Sequence, residues 1–505
     1  MKIRYKFLNM LFGNGLVQLS RILVVTFLAR VLTPYVYASY SQINLVQQTL
    51  LPFFTLSIPI TLSYYLPRIE SQDRQKTIVL QSILLLFGMG FIACIALFIF
   101  SPQIARLYNN ETLKGLFQVS CITLLFEIAS SFYTNYLLGL NRSKKLSKVM
   151  PICSFLRIAL VVAAVFLFEK ELLYIVYALL FFSIVKFAYM LNECLAYFHN
   201  AKFSFDFPLL KEQVFYSIPI CAASLVSILG TLLDRNMVAY FFTPEKYAIF
   251  SNGAIEIPVI GILTSSLMAV VLPELSKLYK EDNSNNVALL KLWHNVFIHS
   301  SAIVIPLMVG MFIFTEGFVL ILFSEKYLQS SSVFQVYLFM LPINAIQFGS
   351  LLMIAKKQKA ILYNSIVYLF VNFILNILLI SLLGLIGPAV ATVIALYFLA
   401  WLQSWQISRA FHISIKNLFP WGKYRQIIFI AFTCGVPFYT INAFFLSKYK
   451  ILAFLIGFPL YFFFNIILFI KIGVMQAKVC TSLLQKINPL QKRKKETLSV
   501  LLDAP

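Results

Sequence analysis

Apolar runs of about 20 residues recur along almost the whole chain, and they limit the folds that the sequence can adopt. One run, from Ile78 to Phe100, contains no charged residue. As a helix, about 20 residues span the roughly 30 Å hydrocarbon core of a bilayer. The chain is 60% hydrophobic and 12% charged, whereas soluble domains are roughly 45–50% apolar. A water-soluble fold could not bury this much apolar surface.

The runs predict about fourteen transmembrane helices and an all-α integral membrane fold. An outer-membrane barrel would instead show short segments of alternating polarity. The first run contains Arg21 and lacks a small-residue cleavage signal, so we expect it to remain as the first helix. The predicted spans lie near residues 9–31, 36–63, 77–100, 115–139, 150–168, 172–192, 214–241, 248–272, 292–314, 331–354, 361–382, 386–408, 427–446 and 450–470.

The basic residues predict the orientation of these spans, because Lys and Arg near span ends are retained on the cytoplasmic side. With the N-terminus inside, twenty-nine of the 41 Lys and Arg residues fall in inner segments and seven in outer ones. Both termini are therefore expected in the cytoplasm. The same distribution accounts for the net charge of +22 without a nucleic-acid partner, since the charges are dispersed among short inner loops.

The sequence contains no catalytic or metal-binding pattern. The seven cysteines show no CxxC spacing, the four histidines form no HExxH motif, and there is no P-loop. We therefore predict that the protein is not an enzyme and has no metal site and no cofactor. Since ATP cannot drive the chain by itself, the energy must come from a coupling ion, Na+ or H+, or from removal of the product outside. The sequence does not choose between them.

A repeat with an offset of 210 residues divides the chain into two halves. Residues 33–42 (TPYVYASYSQ) align with residues 243–252 (TPEKYAIFSN). Six predicted spans separate the copies, and an even number preserves direction. The halves are therefore expected to be parallel repeats related by an axis along the membrane normal, as in two-lobed transporters.

Polar residues form a stripe at helical spacing on the first span of each half. Polar groups in hydrocarbon are costly, so each stripe is expected to face either partner helices, through hydrogen bonds, or a water-filled cavity. The symmetry-related positions of the stripes favour the cavity. The stripes comprise Asn14, Gln18 and Arg21 in the first span, and Ser217, Ser224, Ser227, Thr231 and Asp234 in the seventh.

Several charged residues also lie inside predicted spans. An unpaired charge at the bilayer centre costs at least about 2.5–3.5 kcal/mol on insertion scales, so each must be paired, hydrated or functional. Basic residues are in slight excess, which suits an anionic headgroup, and the arginine fork matches phosphate oxygens. The basic residues are Arg21, Arg157, Lys186 and Arg235, and the acidic ones are Glu127, Asp234 and Glu256.

These charges allow two interpretations. Arg21, on a polar stripe, is the candidate for contact with a diphosphate. Asp234 and Arg235 are adjacent, so on a helix they point about 100° apart and each needs its own partner. Arg235 and Lys186 either line a cavity or form buried ion pairs with a carboxylate on another helix. The predicted cavity site comprises Asn14, Gln18, Arg21, Arg157, Ser224, Thr231, Asp234, Arg235 and Glu256.

Four local motifs follow one another along the chain. They are Leu32-Thr33-Pro34 with Tyr37-Ala38, then Leu233-Asp234-Arg235, then residues 272–279 (LPELSKLY), then residues 376–380 (NILLI) with 384–392 (GLIGPAVAT). In this order and spacing they resemble the Wzx-type polysaccharide flippases of the multidrug/oligosaccharidyl-lipid/polysaccharide (MOP) exporter superfamily. The resemblance covers roughly residues 5–475.

The resemblance implies a V-shaped fold of two parallel six-helix lobes, residues 1–213 and 214–408, with two extra C-terminal helices in 409–471 and a basic cytoplasmic tail in 472–505. The implied function is to flip undecaprenyl-diphosphate-linked oligosaccharide from the inner to the outer leaflet of the bacterial cytoplasmic membrane, for O-antigen, capsule or exopolysaccharide synthesis. The implied partners are the lipid-linked oligosaccharide, membrane lipid, a polysaccharide polymerase and glycosyltransferases.

Two other functions are compatible with the sequence. A small-molecule or drug antiporter of the same superfamily would be favoured if carboxylates faced the cavity and the arginines were buried between helices. A membrane polymerase or glycosyltransferase resembles this chain in hydropathy but carries a long external catalytic loop. The longest outer connection predicted here, residues 315–330, is short.

Labelling of single cysteines in a background without native cysteines tests the predicted orientation. A membrane-impermeant maleimide added to intact cells should label the external positions and spare the cytoplasmic ones until the cells are permeabilised. Labelling of position 285 from outside, with position 109 protected, would contradict the topology. Ser147, Asn285 and Gln358 are predicted to be cytoplasmic, and Asn109, Pro244 and Lys448 external.

Overall fold

The computed structural model describes residues 2–255, 257, 271–272, 274–279, 286–346, 348–444 and 448–474, without the side chains of residues 2–14 and 286. Every regular element in these ranges is helical, which confirms the all-α fold. Nine helical segments in these ranges are long and apolar enough to cross a membrane, or up to eleven if two bent pairs each form one span. The total of about fourteen spans stays a prediction. The side chain of Asn14, Glu256, most of the predicted eighth span and most of the predicted tail lie outside the described residues.

The first 255 residues contain ten helices. They are α1 (Lys2–Val31), α2 (Pro34–Thr55), α3 (Ile58–Tyr65), α4 (Gln72–Leu107), α5 (Leu113–Ser130), α6 (Phe132–Gly139), α7 (Ser143–Leu167), α8 (Leu172–Tyr197), α9 (Phe207–Phe241) and α10 (Pro244–Gly253).

The helices described after residue 285 continue to Lys471. They are α11 (Asn286–Ile313), α12 (Thr315–Leu322), α13 (Ser330–Leu338), α14 (Leu341–Asn344), α15 (Phe348–Ile354), α16 (Gln358–Leu383), α17 (Gly387–Ala410), α18 (Ile415–Leu418), α19 (Trp421–Phe444), α20 (Lys450–Leu452) and α21 (Phe458–Lys471).

The exposed face of α4 is apolar, as expected for a helix in lipid. Leu84, Phe91 and Phe98, two helical turns apart, are 57%, 54% and 51% exposed. Leu86 and Ala93 on the opposite face are fully buried, and α4 packs against α5. A water-soluble helix would present polar residues on its outer face, so this outer surface fits contact with hydrocarbon.

The described helices belong to two compact units. The first comprises Met1–Pro258, Leu322–Tyr337 and Lys359–Leu399, and the second comprises Val259–Ile321, Leu338–Gln358 and Ala400–Pro505. The lobe boundaries inferred from the sequence stay predictions.

In the second unit, α19 and α21 pack against α11 and against each other. The Tyr461 hydroxyl on α21 donates to the Ala431 carbonyl on α19 at 2.9 Å and so links these two helices. Lys450 and Glu316 form an ion pair of 2.7 Å beside a cavity of about 220 Å³. The close packing of these helices shows that the C-terminal segment is an integral part of this unit.

A ring of five helices organises the start of the first unit. Helix α1 packs along α7, α7 packs on α8, and α8 packs on α5. Helix α2 contacts both α5 and α1 and so closes the ring. The ring places side chains from α1, α5, α7 and α8 around a shared interior.

The second predicted span is broken. Helices α2 and α3 meet at an angle of 50°, and the two residues between them, Leu56 and Ser57, have φ values of 49° and 54°. The left-handed conformation costs a residue with a Cβ roughly 1–2 kcal/mol. Pro59 lies in the first turn of α3, where it is tolerated because its missing N–H would have no helical partner. The sequence predicted one span over residues 36–63, and the two helices can form that span with a bend between them.

The internal repeat is visible in the structure at the start of α2 and of α10. Both helices begin with a proline that follows an extended threonine, with φ and ψ of −68° and 154° at Thr33 and −67° and 158° at Thr243. Each threonine is the N-cap residue of its helix, so the proline occupies the first helical position, where its fixed φ suits a helix. The two aligned segments therefore adopt the same local structure.

The two copies also bind each other reciprocally. The Tyr37 hydroxyl donates to the Asn252 Oδ1 at 2.5 Å, and the aligned Tyr247 hydroxyl donates to the Ser41 carbonyl at 3.3 Å. Both tyrosines are 1% exposed. Asn252 aligns with Gln42, the neighbour of Ser41, so the two bonds are nearly symmetric. We call this pair of bonds the tyrosine clasp.

Gly253→Ala tests the packing beside the tyrosine clasp. A Cβ at Gly253 would lie 2.5 Å from the Val333 Cβ and 2.7 Å from the Ser330 carbonyl oxygen, so α10 would have to move. We expect a loss of about 1–3 kcal/mol in stability, read as a lower thermal midpoint of the purified protein in detergent. Gly88→Ala in α4 is the matched control, because nothing lies within 4 Å of its Cβ position. Equal midpoints for the two variants would show that the contact is not tight.

Candidate functional site

Four charged side chains converge within the ring of helices. Arg21 lies on α1, Glu127 on α5, Arg157 on α7 and Lys186 on α8. Arg21 interacts electrostatically with Arg157 and Glu127, and Glu127 interacts with all three basic residues. We call these four residues the charge cluster.

The charge cluster lies inside its membrane-spanning segments, where α5 and α6 together form the span Leu113–Gly139. Arg21 and Arg157 are each about 15 Å from the C-terminal ends of α1 and α7, at 1.5 Å per residue. Glu127 and Lys186 are each about 21 Å from the N-terminal ends of α5 and α8. These four ends are all external in the predicted topology. In that topology all four charges would lie within the hydrocarbon core, which is about 30 Å thick.

Lys186 and Glu127 form a direct ion pair within the charge cluster. The Lys186 Nζ lies 2.7 Å from the Glu127 Oε2. Lysine is the more buried partner, with 13% of its side chain exposed against 33% for glutamate. The Arg157 Nε is buried and has no hydrogen-bond partner among the described residues. Arg21 is exposed, and Gln18, one helical turn before it, is exposed on the same face.

The charge cluster has an excess of positive charge, since it combines three basic groups with one carboxylate. A carboxylate bonded to lysine cannot fully neutralise two further guanidinium groups. The uncompensated charge in the membrane is costly unless water or an anion reaches it. Arginine presents a planar fork of N–H donors that matches phosphate and carboxylate oxygens. The arrangement is therefore suited to hold an anionic group.

Asp234 and Arg235 belong to a second polar cluster. The buried Asp234 carboxylate accepts hydrogen bonds from the Tyr337 hydroxyl and from the backbone N–H of Arg235. The Arg235 guanidinium donates to the Ala254 carbonyl at 2.7 Å, and its Nε is buried without a partner within the described ranges. The two neighbours thus have separate partners, as their positions on the helix predicted.

A network of side chains extends this second cluster. The Thr392 hydroxyl lies beside Asp234 and donates to the Asn372 Oδ1 at 3.3 Å. The same oxygen accepts from the Asn376 Nδ2 at 2.9 Å, and both asparagines are fully buried. Carboxylate, hydroxyl and amide oxygens therefore meet in the interior. In the described part of the chain, no group of three or more His, Cys, Asp or Glu residues is placed to hold a metal ion.

Two further predicted site residues, Ser224 and Thr231, belong to neither of these clusters. Ser224 is half-buried on α9, and Thr231 is exposed on the same helix. The Thr231 hydroxyl donates back to the Ser227 carbonyl at 2.9 Å. Asn14, through its side chain, and Glu256 lie outside the described residues.

The predicted site omitted three residues of the two clusters, namely Glu127, Lys186 and Tyr337. Glu127 and Lys186 carried a visible signal, since each is a charge inside an apolar run, and one of the two interpretations of Lys186 was a buried ion pair. That interpretation describes the observed contact with Glu127. Tyr337 gave no such signal, because a tyrosine in an apolar segment is ordinary.

A model of the family described as polysaccharide biosynthesis proteins matches residues 5–279 of the chain, more than half of its length. The chain belongs to this polysaccharide biosynthesis family. The resemblance drawn from the sequence motifs is thereby confirmed.

Two relatives have names that refer to polysaccharide or teichuronic acid synthesis, and a third is uncharacterised. The chain is 24% identical over 394 residues to the capsular polysaccharide biosynthesis protein CapF of Staphylococcus aureus, covering 76% of this chain and 94% of that protein. It is 23% identical over 250 residues to the teichuronic acid biosynthesis protein TuaB of Bacillus subtilis, covering 49% of this chain and 50% of that protein. An uncharacterised membrane protein of Methanocaldococcus jannaschii is 25% identical over 418 residues, covering 77% of this chain and 80% of that protein.

Solved structures show that this member of the family has the MOP superfamily fold. The lipid II flippase MurJ, in an inward-closed conformation, matches with a TM-score of 0.71 and 16% identity over 92% of this chain and 99% of that chain. An inward-facing multidrug resistance MATE transporter of the MOP superfamily matches with a TM-score of 0.64 and 14% identity over 78% of this chain and 95% of that chain. At these identities the likeness shows the fold alone.

Tyr337→Phe tests the second cluster, because it removes a hydroxyl that donates to the buried carboxylate of Asp234. Loss of such a donor costs about 1–3 kcal/mol, so we expect a lower thermal midpoint in detergent. Adding Asp234→Asn should restore part of the loss, since an amide is cheaper to bury than a carboxylate. The matched control is Tyr363→Phe, where the side chain is 62% exposed. The same midpoint for Tyr337→Phe as for this control would show that the hydroxyl contributes nothing.

Proposed function

We propose that the protein flips an oligosaccharide linked to undecaprenyl diphosphate from the inner to the outer leaflet of the bacterial cytoplasmic membrane. The observation that carries this proposal is the excess positive charge of the charge cluster, inside a MOP fold. Membership of the polysaccharide biosynthesis family supports a sugar cargo. The names of two relatives point to capsule and teichuronic acid synthesis, and that of the MurJ structure to a lipid flippase.

The chemistry of the charge cluster fits a diphosphate diester. Each phosphate of such a lipid carries one negative charge, and Arg21 and Arg157 each offer a guanidinium fork that can bind phosphate oxygens in a bidentate manner. Gln18 lies beside Arg21 and can donate a further hydrogen bond. In this proposal Lys186 is held by Glu127 and contributes positive potential, while the two arginines make the direct contacts.

A small-molecule or drug antiporter is the second candidate. It would be favoured by carboxylates facing the cavity and by arginines buried between helices. The charge cluster has the opposite arrangement. Arg21 is exposed, and the single carboxylate of the cluster is already bonded to lysine. We therefore prefer an anionic substrate. We propose no catalytic role, so cleavage or transfer of the sugar falls to a polymerase and to glycosyltransferases acting on the same lipid.

The energy source belongs to the proposal as well. Movement of the lipid would be coupled to Na+ or H+, or driven by removal of the product outside. The buried carboxylate of Asp234, with the oxygens of Thr392 and Asn372, offers the oxygen ligands or the proton acceptor that either ion requires.

Substitution of Arg21 tests the proposed function. Arg21→Lys keeps the charge but loses the fork, so glycan export should fall, and Arg21→Ala should fall further, by about tenfold if one charge-assisted contact is lost. Both variants should insert and fold, because Arg21 is exposed and its loss relieves repulsion from Arg157. The measurement is surface-glycan display in a flippase-deficient cell, with the membrane level of each variant.

Arg74 provides the matched control, since it is exposed in the first turn of α4, outside the charge cluster. Arg74→Lys and Arg74→Ala should leave export unchanged. Normal export by Arg21→Ala at normal abundance would remove Arg21 from the substrate site.

A further inference from the structure

Glu127 is the only acidic member of the charge cluster, and the proposed function gives it no task beyond holding Lys186. Its geometry suggests more than a structural contact. The glutamate side chain is 33% exposed, whereas its lysine partner is 13% exposed. The Glu127 side chain is therefore the more accessible member of the ion pair.

The carboxylate also interacts electrostatically with Arg21 and Arg157, the two residues proposed to bind phosphate. Carboxylate and phosphate oxygens seek the same guanidinium N–H donors, and both accept bidentate bonds. A substrate phosphate and the Glu127 carboxylate therefore compete for the same donors. Since a carrier of this kind must also return without its substrate, the empty arginines need a counter-charge in the membrane.

We propose that Glu127 is an internal counter-ion, which neutralises the arginines when the site is empty and is displaced toward Lys186 when the anionic group of the substrate binds. This inference rests on the proposed function. Glu127 then lowers the affinity for the substrate and speeds its release. Lys186 is the partner available to the displaced carboxylate, since the two groups lie 2.7 Å apart in the structure.

Two simpler roles for Glu127 predict different behaviour. If the pair with Lys186 were only structural, Glu127→Gln and Lys186→Met would both destabilise the protein, and the double variant would restore fold and function together. If Glu127 acted only through net charge, the double variant would bind an anion as the unaltered protein does, because the charge of the cluster is the same. A competing counter-ion predicts tighter binding in the double variant.

The experiment measures binding of farnesyl diphosphate to the purified protein in detergent by isothermal titration calorimetry, with farnesol as the uncharged control. We expect Glu127→Gln to bind farnesyl diphosphate about tenfold more tightly and to export less glycan per molecule of protein in the membrane. Lys186→Met should bind it more weakly, because the carboxylate then stays with the arginines. The Glu127→Gln/Lys186→Met protein should bind at least about threefold more tightly than the unaltered protein. Glu70→Gln, an exposed site outside the charge cluster, should change nothing.

The outcomes separate this inference from the function on which it rests. If the unaltered protein does not prefer farnesyl diphosphate to farnesol, the proposed function fails. If it does, and the double variant binds with unchanged affinity, the counter-ion role is wrong and Glu127 acts through charge alone. If Glu127→Gln does not fold, the double variant, which carries no stranded charge, still decides between these results.

Discussion

The ion pair between Lys186 and Glu127 is the contact on which the charge cluster depends. It joins α8 to α5 within membrane-spanning helices, where an unpaired charge is costly. Replacing both partners by apolar residues can be tolerated in proteins, whereas removing one leaves an uncompensated charge. Because the pair neutralises a single cation, Arg21 and Arg157 remain available to an anion. The same interaction therefore stabilises the helix ring and leaves its interior positively charged.

The membrane explains why the fold could be predicted so largely from the sequence. In hydrocarbon every backbone N–H and C=O must be bonded within the chain, so a long apolar run becomes a helix. The break at Leu56 and Ser57 could not be predicted in this way. Neither residue is a glycine, and nothing in the composition indicates a positive φ at both. Pro59 was the nearest sequence signal of the break. A proline is also common in the first turn of a helix, so it does not by itself indicate a break within a span.

The charged members of the candidate site were predictable for a related reason, since a charge inside an apolar run is expensive and therefore conspicuous. Their pairing was not predictable. That Lys186 meets Glu127 depends on α8 lying against α5, and the sequence does not reveal which helices are neighbours. Tyr337 shows the same limit more strongly, because its role as a donor to Asp234 follows only from its position in space.

The tyrosine clasp has a consequence for how the two halves can diverge. Tyr37 bonds a side-chain oxygen of Asn252, whereas Tyr247 bonds a backbone oxygen at Ser41. A backbone acceptor is present whatever residue occupies position 41, while position 252 must keep a side chain that can accept. The two copies of one segment are thus under unequal constraint, since a substitution at position 41 leaves its acceptor in place, whereas one at position 252 can remove it.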